Sequence, residues 1–331
     1  MEYTNLGHTG LEVSRLCLGC AGFSTTDAWD WNVSDREESL EVIDHALDQG
    51  INFLDTANTY SDGESEQVVG EAIDGIREDV VLASKVGEAV ENVPNRRGGS
   101  RKHVLEQIER SLERLDTDYL DVYYLHQWDF DTPITETLAA FDHLIEEGLV
   151  RYIGASNLAG WRLMEALKES DLRNLERFIV IQPEYNLLRR HEEENLLPVA
   201  AAEGLGVASY APIASGFLTG AITREDGPEG SAVQDRTWRD LGMFDREECW
   251  TVLDTVREIA DREDATPVQV SVAWLLQSPF VTSPIIGPQS IEHVDEYCGS
   301  FDVELTDEDV QRLEDPIDPV WNHDMIASQR W

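Results

Sequence analysis

Four side chains suited to moving a proton stand at Asp55, Tyr60, Lys85 and His126. A tyrosine hydroxyl, with an ordinary pKa of ~10, is a weak proton donor at neutral pH. A nearby ammonium stabilises the phenolate and draws that pKa down. A carboxylate paired with the ammonium keeps the lysine charged when it is buried. Asp55, Lys85 and Tyr60 would therefore form a relay with tyrosine as the donor, and His126 beside them would orient a carbonyl oxygen by a hydrogen bond. That set suits carbonyl reduction if a hydride arrives at the opposite side of the carbonyl. Singly, each residue has a structural reading: a helix cap for Asp55, rim packing for Tyr60, a satisfied buried imidazole for His126, a snorkelling stem for Lys85. Lys85 strains its own alternative most. Only three of the 25 basic side chains are lysines, and this one lies in the apolar run VVLASKVG, where a charge is costly. Lys102 and Lys168 read as helix-surface residues.

The four residues need elements that bring them together. Short apolar runs recur at Arg15–Leu18, Ile51–Leu54, Val80–Ala83, Leu120–Leu125, Val150–Gly154, Phe178–Ile181, Gly206–Ser209 and Pro284–Ile286. Helical patterns fill most of the gaps. Ser34-x-x-Glu37 predicts a capping box ahead of Leu40, Ile43 and Leu47, with Gly50 closing the helix. Val104, Leu105, Ile108, Leu112 and Leu115 make one stripe of a helix over Lys102–Leu115, and Thr266-Pro267-x-Gln269 opens another. Strand–helix alternation calls for a parallel sheet. Eight strands, mostly about 30 residues apart, predict an α/β (β/α)8 TIM barrel with its reactive groups at the C-terminal strand ends. Asp55, Lys85 and His126 follow the second, third and fourth barrel strands. A hairpin around the Gly-His-Thr-Gly turn precedes the barrel. A long loop between strands seven and eight holds the Gly/Asp-rich stretch Gly216–Gly242 and helices near 246–262 and 267–277. A Rossmann fold is disfavoured, because no G-x-G-x-x-G follows an early strand. Nothing divides the chain, so residues 1–331 are expected to form a single domain.

Composition bounds the partners. The formal charge is −41, with 66 acidic side chains spread along 331 residues. Such a surface repels nucleic acid and anionic membranes. Acid excess with scarce lysine predicts adaptation to high salt, where screening removes self-repulsion. No stretch approaches the roughly 20 apolar residues of a membrane span, and no signal peptide is visible. A cytoplasmic, monomeric protein is expected. Cys17, Cys20, Cys249 and Cys298 make no disulfide framework, and the single C-x-x-C of Cys17–Cys20 is read as structural. The eight histidines form no H-x-H or H-x-x-x-H pair, which ranks a metal-dependent hydrolase low and predicts no metal.

The segments FLDTANTYSDGESEQVVGEAI, VVLASKVG, LDTDYLDVYYLHQWD, GLVRYIGASN, IQPEYNLL and YAPIASGFLTG together resemble the aldo-keto reductase superfamily. The likeness runs from LGHTGLEVSRLCLG to IIGPQSIEHVDEY, nearly the whole chain. It implies a (β/α)8 barrel binding NADP(H) without a Rossmann motif. It also implies a catalytic tetrad of Asp55, Tyr60, Lys85 and His126, with Tyr60 as general acid in reduction and general base in oxidation. By the same resemblance, Ser156, Asn157 and Gln182 hold the nicotinamide carboxamide, and Tyr210 stacks on the ring. The loop Ala211–Leu218, with Pro212, Ile213, Gly216 and Leu218, wraps the pyrophosphate. Gly19, Cys20 and Asp55 lie by the nicotinamide ribose, where Cys20 replaces a common threonine and leaves that contact to the backbone.

One departure concerns the adenosine 2′-phosphate. Gly287, Gln289, Ser290, His293, Glu296 and Tyr297 fill the adenosine-side positions, and no lysine or arginine occurs from Glu263 to Gln311. Tyr297 replaces a usual asparagine. Without charge-assisted phosphate bonds, NADP(H) is expected from the family but with NAD(H) also used. Trp29 and Trp128 are the candidate substrate-pocket aromatics, and Trp31, Trp321 and Trp331 could add to the wall. With no anion-binding cluster at the mouth, a neutral aldehyde or ketone is the expected substrate. The alternative is an NADP(H)-binding regulatory or redox-sensing subunit with little turnover.

Overall fold

The computed structural model of the chain describes residues 1–24, 33, 35–221, 223–224 and 245–319. Trp29, Trp31, Ser34, Trp321, Trp331 and most of the Gly/Asp-rich loop lie outside them. Strands β1 (Tyr3–Asn5) and β2 (Glu12–Ser14) pair antiparallel as a hairpin. Its Leu6 and Val13 are fully buried and plug the floor of the barrel. Gly7, at φ +62°, lies so close to the strand floor that a Cβ would fall 2.7 Å from the Gly206 nitrogen.

The barrel strands are β3 (Cys17–Gly19), β4 (Phe53–Asp55), β5 (Val81–Val86), β6 (Leu120–Leu125), β7 (Val150–Ser156), β8 (Phe178–Gln182), β9 (Gly206–Val207) and β10 (Ile285–Ile286). They pair in parallel in the order β10-β3-β4-β5-β6-β7-β8-β9. The ring closes where Thr282 and Ile285 N–H groups donate to the carbonyls of Val207 (2.9 Å) and Ser209 (2.8 Å). Helices α1 (Arg36–Asp48), α2 (Glu64–Ala72), α3 (Arg101–Leu115), α4 (Ile134–Glu146), α5 (Gly160–Arg173) and α6 (Leu196–Glu203) alternate with the strands. Helices α7 (Glu247–Glu263) and α8 (Pro267–Gln277) precede β10, and α9 (Ile291–Cys298) and α10 (Asp307–Glu314) follow it.

Local chemistry explains the helix ends. Ser100 caps α3 by accepting from the His103 N–H, and buried Val104, Ile108 and Leu115 carry its inner face. Thr266 opens α8 as expected, with Pro267 in its first turn, and with Gln269 it forms a capping box. At α1 the cap is Asp35, whose carboxylate accepts from the Glu37 and Glu38 N–H groups.

Strand parity places the functional side chains. Alternate residues face opposite sides of a strand. Cys17, Phe53, Val81, Ala83, Val122, Tyr124, Val180, Ala208 and Ile285 fill the barrel interior, while Leu18, Leu54, Leu82, Tyr123 and Ile181 pack under the helices. Counting in twos from the inward set reaches Gly19, Asp55, Lys85, His126, Gln182 and Tyr210, all at the C-terminal mouth. The ladders also run further than the apolar runs that mark them. Val80–Ala83 was the expected third strand, but pairing continues through Lys85 to Val86. Asp55, Ser156 and Gln182 are likewise last strand residues and not loop residues.

Candidate active site

Lys85 is fully enclosed, with Asp55 (3% exposed) and His126 (7%) nearly so. The Lys85 ammonium donates to Asp55 Oδ1, to the Thr56 carbonyl at 2.9 Å and to the Tyr60 hydroxyl at 3.0 Å. Burial alone would lower the ammonium's pKa, but Asp55 and Tyr60 together outweigh it and hold the charge above the ordinary lysine range. Tyr60 rises from the loop after β4, half-buried, with Ser61 and Asp62 turned into left-handed backbone (φ 49° and 55°) just behind it. Its ring meets His126 edge-on, 5.7 Å between centroids and 82° between planes.

The expected fall in the Tyr60 pKa does not occur. Burial pushes the phenol up, Lys85 pulls it down, and Asp55 pushes it up again, leaving it above its ordinary value. Burial is the largest influence; Lys85 still favours the phenolate, but burial and Asp55 together outweigh it. His126 is held well below the usual imidazole range by burial and then by Lys85, so it is neutral at pH 7. Its Nδ1 is enclosed without a hydrogen-bond partner, 3.7 Å from Glu88 Oε2.

The residues expected around the nicotinamide form a connected chain with these four. Gln182 Nε2 donates to Asp55 Oδ2 at 2.8 Å, and Ser156 Oγ donates to the Gln182 carbonyl at 2.7 Å. Asn157, at φ 51°, donates to the His126 carbonyl and to Ser156 Oγ, both at 2.9 Å. Its Oδ1 accepts from the Tyr210 hydroxyl at 2.9 Å, which fixes that ring at the mouth. Gln182 Oε1 and a second lone pair on Asn157 Oδ1 are left to take N–H groups.

Beyond Tyr210 the backbone curls. Ala211, Ala214, Ser215 and Gly216 all have positive φ (54°, 49°, 55° and 94°), and the Ala214, Gly216 and Leu218 N–H groups close tight turns onto the Ala211 and Ile213 carbonyls; Pro212 and Leu218 are buried and Ile213 half-buried. At the end of β10, Gly287, Gln289 and His293 are exposed and Ser290 and Glu296 half-buried. Ser290 caps α9 by accepting from the His293 N–H, while the Gln289 N–H donates to His293 Nδ1 at 3.2 Å.

Other expected residues have their own packing. Gly19 is glycine because a Cβ would lie 2.7 Å from the Ile285 side chain. The Cys20 N–H donates to the Asp55 carbonyl, and its carbonyl accepts from Ser65 Oγ. Cys17 and Cys20 are free thiols whose pKa values burial pushes far up, which fits their structural reading. Tyr297 is buried, and burial raises its phenol pKa while a backbone hydrogen bond from Gly287 opposes it. Trp128 is buried beside Asn157, whose carbonyl accepts from the Trp128 N–H at 3.5 Å.

Sequence reasoning passed over three groups near the site. Thr59 Oγ1 donates to Glu88 Oε2 at 3.0 Å on the rim beside His126. Thr56 accepts from Lys85. Below Tyr210, Glu184 pairs with Arg189 at 3.1 Å, and its carboxyl is pushed up to about 7 by burial, with Arg189 and His191 opposing. Glu184 shares the inward parity of Gln182, a signal available in the sequence. Glu88 carries no such signal, since it stands after the strand. Among the described residues no group of His, Cys, Asp and Glu could hold a metal ion.

The arrangement is a buried ammonium–carboxylate pair presenting one phenol and one neutral imidazole to a common opening. Residues 15–318 match the model of the Aldo/keto reductase family. The chain is 35% identical to versiconal hemiacetal acetate reductase of Aspergillus parasiticus over 345 residues, covering 96% of this chain and 98% of that one. It is 37% identical to the uncharacterized oxidoreductase YrpG of Bacillus subtilis, with 95% of each chain covered. It is also 35% identical to a probable voltage-gated potassium channel subunit beta of Arabidopsis thaliana, with 92% of each covered. The chain belongs to the aldo/keto reductase family and is an oxidoreductase of carbonyl compounds.

Proposed function

We propose that the protein reduces a neutral aldehyde or ketone with a nicotinamide cofactor, Tyr60 giving the proton. The hydrogen bond between Lys85 and Tyr60 carries this reading, since it gives the phenol a fixed cationic neighbour and a defined direction. The cofactor supplies the hydride when bound. Tyr60 donates its proton to the carbonyl oxygen, and Lys85 stabilises the phenolate until solvent restores the proton. Asp55 keeps Lys85 charged. Neutral His126 offers a ring nitrogen to the same oxygen and sets its orientation. In oxidation the proton runs back to the phenolate.

Ser156, Asn157, Gln182 and Tyr210 fit a nicotinamide ring, because Gln182 Oε1 and one lone pair of Asn157 Oδ1 remain to accept beside an anchored aromatic. The left-handed curl at Ala211–Gly216 fits a pyrophosphate. Gly287, Gln289, Ser290, His293, Glu296 and Tyr297 would face the adenosine, with Gly19 and Cys20 near the ribose. NADP(H) is the proposed cofactor, with substantial NAD(H) use, because this strip presents no lysine or arginine to a 2′-phosphate. We further read Trp128 as a pocket wall and the acid excess as adaptation to salt, the chain being a single cytoplasmic domain. No described helix is long and apolar enough to cross a membrane.

Replacing Tyr60 with phenylalanine tests the assignment. Turnover of an aldehyde should fall at least a thousandfold (about 4 kcal/mol of barrier), while quenching of protein fluorescence by the dinucleotide persists. Unchanged turnover in Tyr60→Phe would remove Tyr60 from the mechanism. A protein that binds the dinucleotide yet reduces no carbonyl would favour the regulatory alternative.

A further inference from the structure

Glu88 is an acidic side chain beside the candidate site that the proton relay does not use. Gly87, at φ +136°, turns the chain out of β5 directly after Val86, and its carbonyl accepts from the Gly98 N–H at 2.8 Å. This turn sets Glu88 on the rim, half-exposed, with Oε2 3.0 Å from Thr59 Oγ1 and 3.7 Å from His126 Nδ1. Thr59 immediately precedes Tyr60, so the carboxylate is pinned between the loops that carry the proton donor and the orienting imidazole. Its charge is not answered. Among the described residues, no lysine or arginine lies within ion-pair distance of it, and His126 is neutral.

We infer that Glu88 selects substrates by charge, disfavouring carbonyl compounds that carry an anionic group near the reacting carbon and admitting neutral or cationic ones. The inference rests on the carbonyl-reductase reading and refines its substrate class. A fixed carboxylate a few ångströms from the reacting groups acts on any substituent entering between Tyr60 and His126. The overall negative charge repels anions from every direction alike, whereas Glu88 acts at short range, where screening is weakest. For a substrate charge about 8 Å away at an effective dielectric of about 20, the repulsion corresponds to a factor of tens before salt screening.

The test compares 4-carboxybenzaldehyde with its near-isostere 4-nitrobenzaldehyde, as a ratio of kcat/KM values. In Glu88→Gln the carboxylate-to-nitro ratio should rise at least fivefold over the unmodified enzyme at low salt. Adding molar KCl should raise the ratio in the unmodified enzyme and narrow the gap between the two proteins. Glu12→Gln removes one exposed charge from the hairpin at the opposite end of the barrel and should leave the ratio within twofold. A ratio that is unchanged in Glu88→Gln, or that moves equally in Glu12→Gln, overturns the inference while leaving carbonyl reduction standing. Failure of the unmodified enzyme to reduce 4-nitrobenzaldehyde with either dinucleotide would instead defeat the reductase reading, and the inference with it.

Discussion

Replacing Asp55 with asparagine isolates the buried pair at the centre of the site. Lys85 is completely enclosed, and its charge is supported by Asp55, the Thr56 carbonyl at 2.9 Å and the Tyr60 hydroxyl at 3.0 Å. The substitution keeps an oxygen near the ammonium but removes the compensating charge. Breaking a buried ion pair from one side typically costs about 3–5 kcal/mol. With the carboxylate gone, burial becomes the dominant influence on Lys85, and its pKa should fall below the ordinary ~10.4. The sign of the pH dependence then reverses. In the unmodified protein the raised lysine pKa contributes stability that is fully present below pH ~10.4 and lost only above it. In Asp55→Asn the unfolded chain binds the proton more tightly, so stability should climb from pH 7 towards pH 10. Urea unfolding of both proteins at pH 7, 8.5 and 10 reads the difference and cancels other titrations. Asp55→Asn combined with Lys85→Met should be more stable than either single variant, because no unpaired charge remains. Equal stability offsets at all three pH values, or a double variant weaker than both singles, would refute the view that Asp55 exists to keep Lys85 charged.

Because the Tyr60 phenol stands above its ordinary pKa, reduction should be flat from pH 6 to 9, while alcohol oxidation, which needs the phenolate, should rise with pH across that range; a reduction rate already falling by pH 8 contradicts this. NADPH should be preferred over NADH by less than about a hundredfold in kcat/KM, each charge-assisted bond being worth about 1.5–3 kcal/mol, and a far larger preference would remove the argument from the missing cations. Glu184, pushed up to about 7, binds its proton more tightly folded than unfolded, so its contribution is complete below pH ~4.5 and lost as pH rises through 7. That window corresponds to roughly 3 kcal/mol, and Glu184→Gln should flatten the stability slope across it in calorimetry. Gly154→Ala would place a Cβ 2.5 Å from the Tyr124 ring inside the barrel, costing about 1–3 kcal/mol by overpacking and lowering Tm.

The sequence made the barrel and three of the four candidate catalytic residues, Asp55, Lys85 and His126, legible for one physical reason. Apolar runs of strand length fix parity, and parity fixes which later residue points into the mouth. Counting from Phe53 to Asp55, from Ala83 to Lys85 and from Tyr124 to His126 needs no coordinates. Strand ends were less legible, because ladder bonds continue through polar residues that the barrel encloses, and hydrophobicity stops before they do. The α1 cap fell one residue past Ser34, since Asp35 offers the same acceptor. What the sequence could not yield were the quantities that depend on competing neighbours. A lysine beside a tyrosine argues for a lowered phenol pKa, yet burial outweighs the lysine's pull and Asp55 adds to burial. Glu88 is the same lesson from the other side: one glycine turn beyond the strand removes it from any parity rule, and only the distances to Thr59 and His126 place it beside the candidate site. The scaffold is thus set by periodic pattern, while the electrostatic balance of the site is set by which charge has a partner and which has none.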